Sequence, residues 1–233
     1  MTKQLTLCLL LIFAVGQMIA QELLTPSHSF SHKKTAYVTL ADGTEIQGNI
    51  KDIDRKKGLI EFIKLKDGAG KKHKLDAEEV KFMYLPPSGL DKLSKAYGAI
   101  TDASKWTDEK MDQDLLNQGY IFFELADVKI KKKNRQLLMQ LLNPTFSKQV
   151  KVYHDPFAKQ TMGLGVAGIK VAGGIAKSYY VAKGDKPAFK LQKKNYKKEF
   201  MPMWNSCKKI ITDYPDMKWS DLTEHVKNYS TCN

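Results

Sequence analysis

Tyr153-His154-Asp155-Pro156 sets an imidazole beside a carboxylate, the residue types that acid–base catalysis uses. Neighbours on a strand face opposite sides, so adjacency alone makes no dyad of His154 and Asp155. A hydrolase would need His154 with distant carboxylates, and an Asp-Pro turn closing an edge strand explains the same letters. Gly163-Leu164-Gly165-Val166-Ala167-Gly168 spells the GxGxxG of a dinucleotide site. That motif must open a helix, yet Gly173-Gly174 interrupts one and Ser178-Tyr179-Tyr180-Val181 returns to strand-forming residues. No nucleotide cofactor is expected. Gly163, Gly165 and Gly168 read instead as part of an apolar, glycine-rich contact segment over residues 162–176.

His28 and His32 are four apart, a spacing that suits a metal on a helix, but they lie in a polar stretch beside Pro26 with no third ligand nearby. Asp108, Glu109, Asp112 and Asp114 are the densest acidic cluster. They lack the glycine and closing glutamate of an EF-hand loop, and acids in a first helical turn are favoured by the helix dipole alone. No metal site is expected, and GxSxG, HExxH and P-loop motifs are absent from the sequence.

Charge says more than motifs do. The chain has 38 Lys and Arg against 25 Asp and Glu, a formal +13, which favours acidic partners such as nucleic acid, acidic polysaccharide or lipid headgroups. Only Arg55 and Arg135 are arginines, the residues that read phosphate bidentately. The lysines fall in scattered clusters, Lys56-Lys57, Lys71-Lys72, Lys131-Lys132-Lys133 and Lys193-Lys194, so a merely solvated surface competes with a dedicated polyanion site. Tyr179 and Tyr180, like Phe82 and Tyr84, sit near lysines and suit either stacking on bases and sugars or a half-buried strand.

The elements that must position these residues begin with export. Lys3, an apolar run from Leu5 to Val15 and Met18-Ile19-Ala20 have the three parts of a cleavable signal peptide over residues 1–20, too short an apolar run to span a bilayer. The mature chain is expected to start at Gln21 and to reach the periplasm or the medium. Cys8 leaves with the signal. Cys207 and Cys232 then remain for an oxidising compartment, and a bridge between them closes a loop of about 25 residues, worth about 3 kcal/mol in the chain-entropy view.

Residues 21–34 are polar and turn-rich and read as a flexible leader. Alternating apolar residues with turns at Asp42-Gly43, Arg55 to Gly58 and Asp67 to Gly70 predict five short strands over residues 35–85, enough for a small β-barrel. Pro86-Pro87-Ser88-Gly89 reads as a linker, followed by an α+β unit over residues 90–233. That unit is expected to have amphipathic helices over Leu90 to Ile100 and Asp108 to Asn117, then strands near 121–125, 137–141, 150–153, 178–183 and 188–191. A helix carrying Phe200, Met203, Trp204, Cys207, Ile210 and Ile211 on one face follows, with Pro202 in its first turn, and a last helix capped by Ser220.

Val38-Thr39-Leu40-Ala41-Asp42-Gly43 through Gly48-Asn49-Ile50 to Asp54 resembles the first two strands of Sm-like and other SH3-like small barrels. Arg55-Lys56-Lys57-Gly58 stands where the Sm pattern places an RNA-reading asparagine, so the resemblance implies fold and not RNA binding. The Ala20-Gln21 junction, Ser178-Tyr179-Tyr180-Val181 and the Cys207/Cys232 tail together resemble secreted proteins of Bacteroidetes-type bacteria. The fold expected is α+β, an SH3-like barrel followed by a mixed sheet-and-helix domain. The function expected is an exported, non-catalytic binding or structural module of the envelope, with an envelope protein or an acidic polymer as partner.

Overall fold

The computed structural model describes residues 23–88, 111–158 and 176–232. The signal segment, the helix expected over Leu90 to Ile100, Asp108, Glu109, and Gly163, Gly165 and Gly168 lie outside the described residues. Among the described residues there are ten strands: β1 (Thr35–Leu40), β2 (Glu45–Lys56), β3 (Leu59–Lys66), β4 (Lys72–Asp76), β5 (Val80–Leu85), β6 (Ile121–Ile130), β7 (Lys133–Gln140), β8 (Val150–His154), β9 (Ser178–Lys183) and β10 (Ala188–Gln192). Side-chain hydrogen bonds shape the turns. Asp42 accepts from the Thr44 amide at 2.8 Å, and Asp67 from the amides of Ala69 and Lys71 at 3.0 and 2.9 Å.

The strands form one sheet in the order β4–β3–β2–β1–β5–β6–β10–β9–β8, with β7 on the other edge of β6. Every pairing is antiparallel except β6 with β10. The class is therefore α+β, as expected, but the first five strands do not close into a separate barrel. β1 occupies one edge of β5, and β6 takes the other through Phe82↔Glu124 to Leu85↔Ile121, so no edge is left to meet β4.

Residues 23–34, expected to be loose, lie as a strap along the sheet. The Leu24 amide donates to the Leu142 carbonyl at 2.7 Å, the Ser27 amide to Gln140 Oε1 at 3.1 Å and the Ser31 amide to the Pro86 carbonyl at 2.8 Å. Phe30 bridges to Pro87 and is buried in the core around Val38, Ile63, Leu65 and Ile121.

Beyond Gln140 the chain turns at Asn143, which is wholly buried and fully bonded. Its Nδ2 donates to the carbonyls of Phe146 and Val150 at 3.1 and 2.7 Å, and its Oδ1 accepts from the Val152 amide at 2.8 Å. A side-chain amide there replaces the backbone partners that a corner loses.

Among the described residues there are also four short α-helices: α1 (Gln113–Asn117), α2 (Tyr196–Trp204), α3 (Lys208–Asp213) and α4 (Leu222–Thr231). Asp112 caps α1 by accepting from the Leu115 amide at 3.0 Å, so it stands before the helix and not in the first turn expected for it, which holds Asp114. The C-terminal helix differs from expectation. α2 starts at Tyr196, so Pro202 lies inside it, and the helix breaks after Trp204 with Cys207 capping α3. Gln192 and Asn195 form a reciprocal cap upstream, which starts the helical turn earlier than Pro202 would. Ser220 lies in a 3₁₀ turn and donates to Asp221 Oδ1 at 2.8 Å instead of capping α4. Cys207 and Cys232 are bridged across Cα atoms 5.7 Å apart, tying the end of α4 to the start of α3.

Gly48 in β2 is a close-approach position: a Cβ there would stand 2.4 Å from the Lys66 carbonyl oxygen of β3. Backbone cannot yield as a side chain can, so Gly48→Ala is expected to cost more than about 3 kcal/mol in urea unfolding. Gly68, where a Cβ meets nothing within 4 Å, is the control, and Gly68→Ala is expected to stay within about 0.5 kcal/mol of the parent. Equal unfolding midpoints for the two variants would contradict the close approach.

Candidate functional site

Two turns meet over the sheet face at β6 and β7. Lys131 and Lys132 form the turn between these strands, and Lys133 and Arg135 begin β7, paired with Ile130 and Val128. Opposite them, Lys57 sits at the β2–β3 turn with φ 51°, next to Gly58 at φ +80°. A Cβ on Gly58 would lie 2.8 Å from Pro156 Cβ, so glycine lets this turn close onto the end of β8. The result is a groove of about 670 Å³ with Lys57, Lys131, Lys132, Lys133 and Arg135 in its wall. Its floor is apolar, made by Leu59, Ile130, Leu137, Met139 and Tyr180, with Phe157 at one side. Among the described residues no carboxylate lines it, and no ion pair involves any of the five cations.

Asp155 holds Phe157 in place. This carboxylate is wholly buried; it accepts from Ser178 Oγ at 2.6 Å and the Phe157 amide at 3.0 Å, and pairs with Lys190 Nζ at 2.6 Å. Those bonds fix the 155–158 turn and leave Phe157 51% exposed. Asp155 is therefore occupied by structure, and the side chain of His154 lies elsewhere.

His154 lines a second, smaller cavity of about 20 Å³ with Ser27, Arg55 and Gln140. Leu59, Met139 and Pro156 line both spaces, so the small cavity lies just behind the groove wall. The His154 ring meets the His28 ring edge-on at 5.5 Å. Burial, then the nearby His28, lower its pKa to about 4 against a weaker opposing pull from Asp155. Among the described residues no carboxylate lines this cavity. His28 and His32 are not brought together: His32 Nδ1 is 2.9 Å from the Ile50 carbonyl. Among the described residues no group of three His, Cys, Asp or Glu could hold a metal.

Tyr179 and Tyr180 are separated by the strand's two faces. Tyr180 floors the groove, whereas Tyr179 stacks on Trp219 with centroids 5.8 Å apart in the C-terminal core. That core holds a group with no sequence motif. His225 is wholly buried, its Nδ1 2.5 Å from Tyr196 Oη, which in turn accepts from Trp204 Nε1 at 3.0 Å. Burial lowers the His225 pKa to about 4, which keeps the imidazole neutral near pH 7.

The pH consequence has a definite sign. An unfolded histidine takes up its proton near 6.5, whereas folded His154 and His225 do so only near 4. The unfolded state therefore binds more protons in that window, so stability is complete above pH 6.5 and falls as pH drops toward 4. His225 alone is expected to contribute about 2 kcal/mol of this loss, allowing for screening. Imidazole NMR titrations should place both midpoints near 4; midpoints near 6.5 would contradict the buried, neutral state. Comparison with known proteins finds no family model, no curated protein and no solved structure that matches this chain.

Proposed function

We propose that this is an exported, non-catalytic binding module of the cell envelope that holds an acidic polysaccharide in the Lys57/Lys131–Lys133/Arg135 groove. The observation that carries the reading is five cations around one apolar-floored groove with no carboxylate in its lining. Unpaired cations over low-dielectric walls concentrate field and attract polyanions. Four of the five are lysines, point charges that attract without the planar fork of arginine. Among the described residues Phe157 is the one exposed large ring; it offers a sugar face one apolar contact but gives no series of platforms for successive bases, which favours polysaccharide over nucleic acid. Export rests on the signal-like residues 1–20 and is supported by the Cys207–Cys232 bridge. Among the described residues, no helix is long and apolar enough to cross a membrane.

Residues 35–85 are read as an SH3-like unit whose last strand is drawn into the larger sheet, and the 86–89 stretch as the join to the α+β part. The glycine-rich segment 162–176, named above as a contact surface, lies mostly outside the described residues, which begin again at Ala176. A hydrolase built on His154 is the less favoured reading because no carboxylate among the described residues lines its cavity and Asp155 is bonded elsewhere.

The test is fluorescence anisotropy of a labelled heparin oligosaccharide with the chain from Gln21. Affinity is expected to fall at least tenfold between about 50 and about 200 mM salt, and roughly tenfold again in the Lys131→Glu, Lys132→Glu, Lys133→Glu triple variant. A flat salt response, or a triple variant that binds like the parent, would contradict the reading. Tighter binding of a single-stranded oligonucleotide of equal charge would replace polysaccharide by nucleic acid.

A further inference from the structure

The small cavity behind the groove gathers three buried polar atoms that have no hydrogen-bond partner: Arg55 Nη2, Gln140 Nε2 and His154 Nδ1. Each belongs to a side chain whose other contacts fix its orientation. Arg55 donates from Nη1 to the Gly58 carbonyl at 3.3 Å and lies 5.8 Å from the centre of the Phe30 ring. Gln140 is 3% exposed and its Oε1 accepts from the Ser27 amide, so its amide nitrogen is the atom left over. His154 is held at the end of β8 with its ring against His28.

A guanidinium and a carboxamide nitrogen are donors only, and an imidazole Nδ1 donates in one of its neutral tautomers. Three donors can therefore converge on one space. Among the described residues no carboxylate lines that space to balance the guanidinium charge, and burial holds the Arg55 pKa below its ordinary value. A water could bridge the three atoms but would leave the charge at the buried Arg55 Nη2 without a counterion, which costs free energy even for a half-buried guanidinium. An anion satisfies the donors and the charge together. A volume of about 20 Å³ is small, which favours a compact ion over sulfate, phosphate or a carboxylate ligand.

We propose that Arg55, Gln140 and His154 form an internal binding site for a small monovalent anion of chloride size. The site joins three segments distant in sequence: the end of β2, the end of β7 where Gln140 fastens the strap at Ser27, and the end of β8. Occupancy therefore stabilises the folded chain by mass action. It does not depend on the groove reading, because the groove cations belong to other residues.

The experiment is thermal unfolding of the chain from Gln21 at constant ionic strength while sodium gluconate is exchanged for sodium chloride or bromide. The melting temperature is expected to rise saturably with either halide, and the rise is expected to vanish in Arg55→Met and to persist in the Lys131–Lys133 triple glutamate variant. If Arg55→Met fails to fold, Gln140→Leu serves in its place, and chloride-35 line broadening on the parent reads the site directly. Equal melting in gluconate and chloride together with no line broadening, or a halide response unchanged in a folded Arg55→Met or Gln140→Leu chain, would overturn the proposal.

Discussion

Everything in this chain is organised around β6, because one ten-residue strand carries three partners. Its first residues pair with β5, and Val128 and Lys129 pair in parallel with β10. From Phe123 to Ile130 it pairs with β7. A strand covered in this way needs apolar residues on both faces, and Ile121-Phe122-Phe123 are all buried. The same strand explains why the first five strands form no closed barrel: its pairing consumes the edge of β5. It also sets the groove, since the lysine-rich turn is the far end of the β6–β7 hairpin.

The second organising feature is how the chain spends its acids. Asp155 is taken up by Ser178, the Phe157 amide and Lys190, and Glu124 by Lys151 at 2.9 Å and Tyr153 at 2.8 Å. These carboxylates lock turns and neighbouring strands together. Cations also gather at two adjoining places whose described lining holds no acid, the open groove and the Arg55 cavity beside it. Phe157 shows how closely structure and surface are linked, because the bonds that satisfy a buried acid also expose its ring.

Much of this was legible in the residues. Period-two alternation and turn chemistry locate β5 and β9 at Val80–Leu85 and Ser178–Lys183, and the cysteine pair follows from the sequence once export is assumed. Strand partners were not legible, because a free edge on β5 looks the same whether β4 or β6 takes it. The strap at 23–34 was missed because polar residues around Pro26 hide a few anchoring contacts, Ser27 to Gln140 and Phe30 in the core. The groove was missed for a related reason: Lys57 and Lys131–Lys133 are more than seventy residues apart in sequence, and only pairing brings their turns to one face. Buried His225 lies in an ordinary helical stretch, where a single letter carries no sign of its tyrosine partner.

The most direct measurement is a hydrogen-exchange footprint of the chain from Gln21 with and without a sulfated oligosaccharide. The account requires new protection confined to the β2–β3 turn at Lys57–Leu59, the β6–β7 turn at Ile130–Arg135 and the Pro156–Phe157 turn. Protection elsewhere, or none at a concentration that saturates binding, would contradict the groove as the ligand site.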